Sequence, residues 1–106
     1  MSEEITNIGQ KKFRSGDDNV VFVGGKPLVN YVRGVITQFN KKDAKEVTIK
    51  SRGKFISKAV DVAEISKRSL EERKVYVREV KIASESFETN DKKTNISTMD
   101  IVLAIA

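Results

Sequence analysis

The sequence predicts an α/β domain: a two-layer sandwich in the order β-α-β-α-β-β, with two helices on one face of a mixed four-stranded sheet. The last two strands are expected to form a long hairpin arm. Short β-branched runs alternate with two segments of helical periodicity before the closing pair of strands. Each strand carries one apolar face, and such strands favour helices on one side of a sheet only. The length of 106 residues fits a single domain.

The N-terminal residues differ from the rest of the chain. Residues 1–19 are polar and mixed in charge, so we expect a flexible tail ahead of a folded domain over residues 20–106. Lys11, Lys12 and Arg14 can form a basic arm in this tail. A solvated tail without a binding role is the alternative.

The first strand and helix are predicted from one continuous segment. The run VVFV at residues 20–23 stops at two glycines, as a buried strand does when it ends in a tight turn. Pro27 suits the first helical position, because its missing N–H has no helical partner there. The amphipathic helix is expected to end near Asn40. Its apolar positions repeat with helical spacing: Leu28, Val32, Val35, Ile36 and Phe39.

A second strand and helix follow. Residues 45–51 alternate, with Val47 and Ile49 on one face, as a strand with one buried face does. They lead through RGK at residues 52–54 into a helix that ends near Ser69. One stripe of this helix is expected to face the core: Phe55, Ile56, Ala59, Val60, Ala63 and Leu70.

The last two strands are predicted to form a hairpin. Residues 74–85 have strand character, but their apolar positions change phase at Arg78 and Glu79, where we predict a bulge. The polar residues 86–95 predict a long hairpin with NDKK at residues 90–93 as its tip. The closing strand alternates cleanly, and its apolar face consists of Met99, Ile101, Leu103 and Ile105.

The chain is basic. It has 20 Lys and Arg against 15 Asp and Glu, of which three and four lie in the tail, so residues 20–106 carry a net charge of +6. Such an excess suggests a polyanionic partner, although many basic folded proteins have none. The positions of the charges must decide between the two.

The residue inventory excludes several kinds of chemistry. There is no cysteine and no histidine, which excludes disulfides, thiol nucleophiles, histidine general bases and the common zinc sites. We expect no metal and no cofactor. No apolar run approaches the roughly 20 residues that span a bilayer, and the first residues lack the layout of a signal peptide. These features predict a cytosolic protein with no membrane partner.

Two basic loops are predicted to lie side by side. A β-α-β crossover makes the first two strands parallel, so that GGK at residues 24–26 and RGK at residues 52–54 meet at one edge of the sheet. Each loop precedes a helix, whose N-terminal N–H groups attract phosphate. Lys26, Arg52 and Lys54 would strengthen such a site. Alternatively, the glycines only permit tight turns and the charges are ordinary surface.

No enzymatic motif emerges. The first loop does not match the phosphate-binding loop of nucleotide hydrolases, because proline rather than serine or threonine follows its lysine. On the second helix Asp61 and Glu64 form an acidic pair, but solvated ion pairs with Lys58 and Lys67 explain it better than catalysis does. We therefore expect a protein that is not an enzyme.

Four further positions are open to two interpretations. Tyr31, about one turn into the first helix, can contact a nucleic-acid backbone or simply cover the helix flank, and Asn30 is similarly ambiguous. Lys92 and Lys93 at the hairpin tip can contact phosphates or serve only as solubilising surface.

Three segments together resemble the Alba family of archaeal chromatin proteins. They are NVVFVGGKPLVNYV from residue 19, VTIKSRGKFISKAVDVAEI from residue 47 and ISTMDIVLAI from residue 96. The combination in this order is specific, and the resemblance covers about residues 19–105. It implies a homodimer, or a heterodimer with a paralogue, that binds double-stranded DNA without strong sequence preference and often RNA as well.

The resemblance also implies which residues bind. Lys26, Arg52 and Lys54 match basic loop residues of the family, Lys93 falls on the basic hairpin tip, and Tyr31 occupies the family tyrosine position. The expected location is the cytoplasm, on the chromosome, where the protein compacts, coats or bridges DNA. The candidate binding residues are Gly25, Lys26, Asn30, Tyr31, Arg52, Lys54, Lys92 and Lys93.

Two positions depart from the family pattern. Well-studied members have two lysines in the first loop, of which the first is acetylated, and this chain has Gly25 there, so acetylation at that position is excluded. A phenylalanine at the end of the second helix packs dimer against dimer in those members. Here the sequence is Ser69-Leu70-Glu71, and Leu70 is the candidate for a contact between dimers.

Other functions stay open. An RNA-binding protein, either an RNA chaperone or a ribonucleoprotein component, is not separated by the sequence, because phosphate contacts are common to DNA and RNA. A nuclease would need scattered acids and a bound metal. The remaining alternative is a structural interaction protein whose basic loops are incidental.

Overall fold

A computed structural model describes residues 19–106, so the tail predicted over residues 1–19, with its possible basic arm, lies outside the described residues apart from Asn19. The order β-α-β-α-β-β is as predicted. The elements are β1 (Val20–Phe22), α1 (Leu28–Asn40), β2 (Glu46–Arg52), a 3-10 turn (Gly53–Phe55), α2 (Ile56–Ser69), a second 3-10 turn (Glu71–Arg73), β3 (Val75–Thr89) and β4 (Lys92–Ile105).

The four strands form one mixed sheet in the order β1-β2-β4-β3. β1 runs parallel to β2, while β4 runs antiparallel to both of its neighbours. Ile49 on β2 aligns with Val21 on β1 and with Ile101 on β4. All three contribute to the apolar core together with residues of α1 and α2, so both helices lie on this face of the sheet. The predicted fold class is confirmed.

The core lies between this face of the sheet and the two helices. Its side chains are mostly β-branched or aromatic on the strands and on α1, where helical spacing directs Val32, Val35 and Phe39 inward. Burying a large apolar side chain completely stabilises the fold by about 1.5–3 kcal/mol. The largest apolar side chains with no exposed surface are Phe39, Ile49, Leu103, Val35, Val47 and Val62.

Two details of the helices differ from the sequence prediction. Pro27 has a ψ of 148° and is the N-cap, so α1 begins one residue later than predicted. On α2 the inward face consists of Ala59, Val62, Ala63 and Ser66. Val60 was expected on that face but is 42% exposed. The reason is geometric, because each residue advances about 100° around a helix and Val60 therefore turns away from the sheet.

Leu70 was expected on the inward stripe of the second helix and also as a candidate contact between dimers, and the structure confirms the first of these. It follows the last residue of α2 and is only 4% exposed, as part of the apolar core. Its side chain is packed inside the subunit, which gives Leu70 a role in stability. The contact between dimers stays a prediction.

The hairpin arm is long and has the predicted bulge. The register of β3 against β4 shifts between Val77 and Glu79. β2 pairs with β4 only as far as Thr98, so among the described residues the hairpin beyond that point has no neighbouring strand, and it extends roughly 20 Å. Its two-residue turn, Asn90 and Asp91, has positive φ at both positions, as a type I′ turn requires.

Candidate nucleic-acid interface

The parallel pairing of β1 and β2 brings two loops to one edge of the sheet. The first loop (residues 23–27) follows β1, and the second loop (residues 52–55) begins at the last residue of β2. The backbone N–H of Val23 donates to the carbonyl of Lys50 at 2.9 Å, which holds the first loop against β2 as it leaves the sheet. Residues of both loops line one open groove of about 830 Å³.

The first loop is held in place by Lys58, which lies on α2. Its ammonium group donates to the carbonyl oxygen of Gly24 at 2.9 Å and to that of Lys26 at 2.8 Å. The same group lies 5.8 Å from the centre of the Tyr31 ring and 5.7 Å from that of Phe55, within the range of cation–π attraction. Lys58 therefore holds the loop to the start of α2, and its predicted ion pair with Asp61 is replaced by these contacts.

Tyr31 supports the same loop from α1. Its hydroxyl accepts a hydrogen bond of 3.0 Å from the backbone N–H of Lys26. A Cβ at Gly24 would lie 3.5 Å from that hydroxyl. The structure therefore shows a packing and hydrogen-bonding role for Tyr31 within the chain, and its contact with a nucleic acid stays a prediction.

The tip of the first loop faces solvent. Gly25, Lys26 and Asn30 are all exposed, and a Cβ at Gly25 would meet no atom within 4 Å. Lys26 has no ion-pair partner among the residues that the structure describes. The backbone of this lysine is thus held by Lys58 and Tyr31, while its ammonium group remains available to an external anion.

The second loop turns sharply at Gly53, whose φ is +59°. This left-handed conformation costs most residues about 1 kcal/mol or more, and glycine adopts it freely. The turn leads into Lys54, whose side chain is exposed and lies 5.5 Å above the ring of Phe55. Within residues 19–106, no acidic side chain pairs with Lys54.

Arg52 has a different environment from the two loop lysines. Its guanidinium group donates to the carboxylate of Glu85 on β3 at 2.8 Å. It also lies 6.0 Å from the centre of the Phe87 ring. Arg52 is therefore partly neutralised in the free protein, although 59% of its side chain is exposed.

Lys92 and Lys93 lie far along the arm and are not brought together with the loops. Both are exposed at the start of β4. Glu88 is aligned directly with Lys93 across the hairpin, and Asp91 is part of the turn. Acidic and basic charges therefore balance at the tip, although no ion pair joins them among the described residues.

The sequence did not identify the charged residues that contact the two loops and the strands beside them. Lys58 was interpreted as a solvated helix residue, because a lysine on a helix gives no sign of a contact with a distant loop. Glu85 is 33 residues from Arg52 and meets it only through the register of the sheet. The pair of Lys50 and Asp100, 3.0 Å apart, was missed for the same reason.

The described residues offer neither a cluster for a metal ion nor a helix that could cross a membrane. No cluster of three or more acidic, cysteine or histidine side chains able to hold a metal ion lies within residues 19–106. None of the helices described there is long and apolar enough to cross a membrane.

Comparison with known proteins identifies the family. The family model described as Alba matches residues 19–84. A protein of Methanothrix thermoacetophila named DNA/RNA-binding protein Alba is 53% identical over 87 residues, which are 82% of this chain and 96% of the relative. DNA/RNA-binding protein Alba 1 of Archaeoglobus fulgidus is 50% identical over 82% of this chain and 96% of its own length.

A solved structure agrees with these relatives. Alba from Thermoplasma volcanium superposes with a TM-score of 0.73 at 42% identity, and the match covers 81% of this chain and 99% of the other. Sequence and fold therefore agree over nearly all of the described residues. The chain belongs to the Alba family.

Proposed function

We propose that this protein binds double-stranded DNA without strong sequence preference, as an architectural chromatin protein. One observation carries the proposal: two basic loops meet at one edge of the sheet, and they present Lys26 and Lys54 to solvent on a supported backbone. Relatives at about half identity are named DNA/RNA-binding proteins, which supports nucleic acid as the partner.

The proposed mechanism is electrostatic. Lys26 and Lys54 approach phosphates of the backbone and release condensed counterions, while Arg52 joins them by exchanging Glu85 for a phosphate. Such contacts position a protein on a duplex but do not read its sequence. The exposed Asn30, beside the first loop, adds a hydrogen-bond donor for a phosphate oxygen. The arms, with Lys92 and Lys93, extend the contact along the duplex.

We further propose a homodimer. Val80 and Ile82 on β3 are 52% and 73% exposed. They align with Ile101 and Met99 on β4, which belong to or pack on the core, so they lie on the helix side of the sheet. Large apolar side chains in this position suit a two-fold interface that buries the edge of the sheet beside α2. A second copy doubles the number of basic loops and arms, and a heterodimer with a paralogue would use the same surface.

RNA is the alternative partner, because the relatives are named for both nucleic acids and because phosphate is common to both. We infer binding rather than catalysis, since the loop edge offers cations and backbone support rather than a paired acid and base. In the cell, such a protein would lie on the chromosome and compact, coat or bridge it.

Charge reversal tests the proposal. A variant with Lys26→Glu and Lys54→Glu is compared with one carrying Lys41→Glu and Lys42→Glu. The second pair is also exposed but lies at the far end of α1, about 20 Å from the first loop.

Binding to two unrelated duplexes and to a structured RNA is followed by fluorescence anisotropy. We expect the loop variant to lose at least tenfold in affinity for both duplexes and the control to lose much less. Equal losses in the two variants would refute the loop edge as the binding surface, and tighter binding to RNA would favour the alternative.

A further inference from the structure

The groove beside the two loops continues onto the face of the sheet that the helices leave uncovered. Phe22 on β1 aligns with Lys50 on β2, and Lys50 aligns with Asp100 on β4. Aligned residues of neighbouring strands point to the same face. Their neighbours Val21 and Ile49 point the other way, into the core. Phe22, Lys50 and Asp100 all line the groove.

Phe22 is unusually exposed for a large apolar side chain. It is 67% exposed on an edge strand, and Arg52 and Lys54 line the same groove. An exposed aromatic ring beside cationic side chains is the arrangement on which proteins stack the bases of single-stranded nucleic acids.

The charges along the floor of the groove are paired. Lys50 donates to Asp100 at 3.0 Å, and Arg52 donates to Glu85 at 2.8 Å. A phosphate must displace a carboxylate before it can use either cation, whereas a neutral nucleobase does not depend on an unpaired charge. Each carboxylate also has lone pairs beyond the one its cation uses, and these can accept hydrogen bonds from the amino groups of a base.

We propose that this groove holds one unpaired nucleobase of a bound nucleic acid, with the base stacked on the ring of Phe22. The inference rests on the proposed function, since Lys26 and Lys54 hold the phosphate backbone next to the groove. In a continuous duplex the bases are stacked on one another and turned inward, so Phe22 has no base to receive. The site therefore favours nucleic acids that have single-stranded nucleotides beside a helical segment, whether RNA or DNA.

A pair of ligands tests the inference with the full-length protein. One is a DNA duplex, and the other is the same duplex with a short single-stranded extension that contains 2-aminopurine, whose fluorescence falls when it stacks. Phe22→Leu keeps an apolar side chain but removes the flat ring. Tyr76→Leu is the matched control, because Tyr76 is also an exposed aromatic residue but lies on β3, aligned through Ala104 with Glu46 at the end of β2 remote from the loops.

We expect Phe22→Leu to bind the extended ligand about five- to twentyfold more weakly and to abolish the fluorescence change. Binding to the plain duplex should stay within about twofold, and Tyr76→Leu should resemble the wild type with both ligands. Phe22→Trp offers a larger ring and should restore or increase binding to the extended ligand, which separates loss of stacking from loss of folding.

Three results would overturn the inference. The first is no loss with Phe22→Leu, the second is an equal loss with both ligands, and the third is an equal loss with Tyr76→Leu. If the wild type binds the plain duplex under any of these results, the base site is refuted while the proposed function stands. If the wild type binds neither ligand, both are refuted.

Discussion

Arg52 and Glu85 form an ion pair of 2.8 Å that reaches across β4, from the end of β2 to β3. The cation that the second loop would offer to a phosphate thus has an anionic partner in the free protein. Both side chains are about half exposed, 59% and 49%, so the pair stabilises the fold by at most about 1 kcal/mol. A pair this weak leaves Arg52 able to change partners.

Removing the carboxylate of Glu85 should therefore strengthen binding to duplex DNA. We predict that Glu85→Gln raises affinity for duplex DNA about two- to fivefold at low salt and steepens the dependence of log affinity on log salt by up to about one. The reason is that Arg52 then meets the phosphate without first losing Glu85. Glu64→Gln is the control, because it breaks a similar pair, with Lys67 at 2.9 Å, on α2. If the two variants gain equally, the effect is one of net charge and the exchange at Arg52 is refuted.

Lys26 should contribute to every sequence alike. We predict that Lys26→Ala weakens binding to unrelated duplexes by the same factor and reduces the salt slope by about one for each subunit bound. The measurement is anisotropy at several salt concentrations, with Lys42→Ala at the far end of α1 as the control. A loss confined to one sequence would indicate base readout and contradict the proposed mechanism.

Gly25 allows a test in which a cation is added rather than removed, because it is exposed and a Cβ there meets nothing within 4 Å. Its φ is not in the left-handed region, since Gly53 is the glycine with positive φ among the described residues. We predict that Gly25→Lys folds with unchanged stability and binds duplex DNA several-fold more tightly, because it adds a cation beside Lys26. Thermal denaturation and anisotropy measure the two effects. An unchanged affinity would mean that the loop tip does not face the nucleic acid.

Leu70 should matter for stability. We predict that Leu70→Ala lowers the free energy of unfolding by about 2–5 kcal/mol, because it removes buried methyl groups from the core. The folded part of the Leu70→Ala sample should bind duplex DNA with the same isotherm as the wild type. Val60→Ala, at an exposed position of α2, should change stability by no more than about 0.5 kcal/mol. If Leu70→Ala keeps full stability but loses cooperative binding, the side chain acts in the contact between dimers instead.

The proposed homodimer depends on the exposed apolar residues of β3. We predict that Ile82→Glu converts the dimer to a monomer, because it places a charge in an apolar interface. Analytical ultracentrifugation of the wild type and the variant measures the change. Val29→Glu makes the same change in charge at a half-exposed position on α1 and should leave the dimer intact. Dissociation by both variants, or by neither, would contradict the assignment of the interface.

Most of the fold was predictable from the sequence because it depends on local patterns. Strand alternation placed Val47 and Ile49 in the core, and the phase change of apolar positions located the bulge. The proximity of the two loops followed from the parallel pairing that a crossover requires. These features depend on spacing along the chain, which the sequence displays directly.

The parts that were not predictable depend on distant contacts. Val60 and Val62 differ by less than a turn of helix, and which of them faces the sheet depends on how α2 packs. The lysine that holds the first loop comes from another element, and Glu85 meets Arg52 only when the register of three strands is known. The sequence predicted Phe22 to be one more apolar residue of a buried strand, and its exposure depends on the position of β1 at the edge of the sheet.

The most direct test of the central claim is a salt titration of wild-type binding to two duplexes of equal length and unrelated sequence. If Lys26 and Lys54 of both subunits contact phosphates, log affinity should fall against log salt with a slope of about −4 or steeper. The slope and the affinity should agree for the two sequences. A shallow slope, or affinities that differ tenfold or more between the two sequences, would contradict binding through the phosphate backbone.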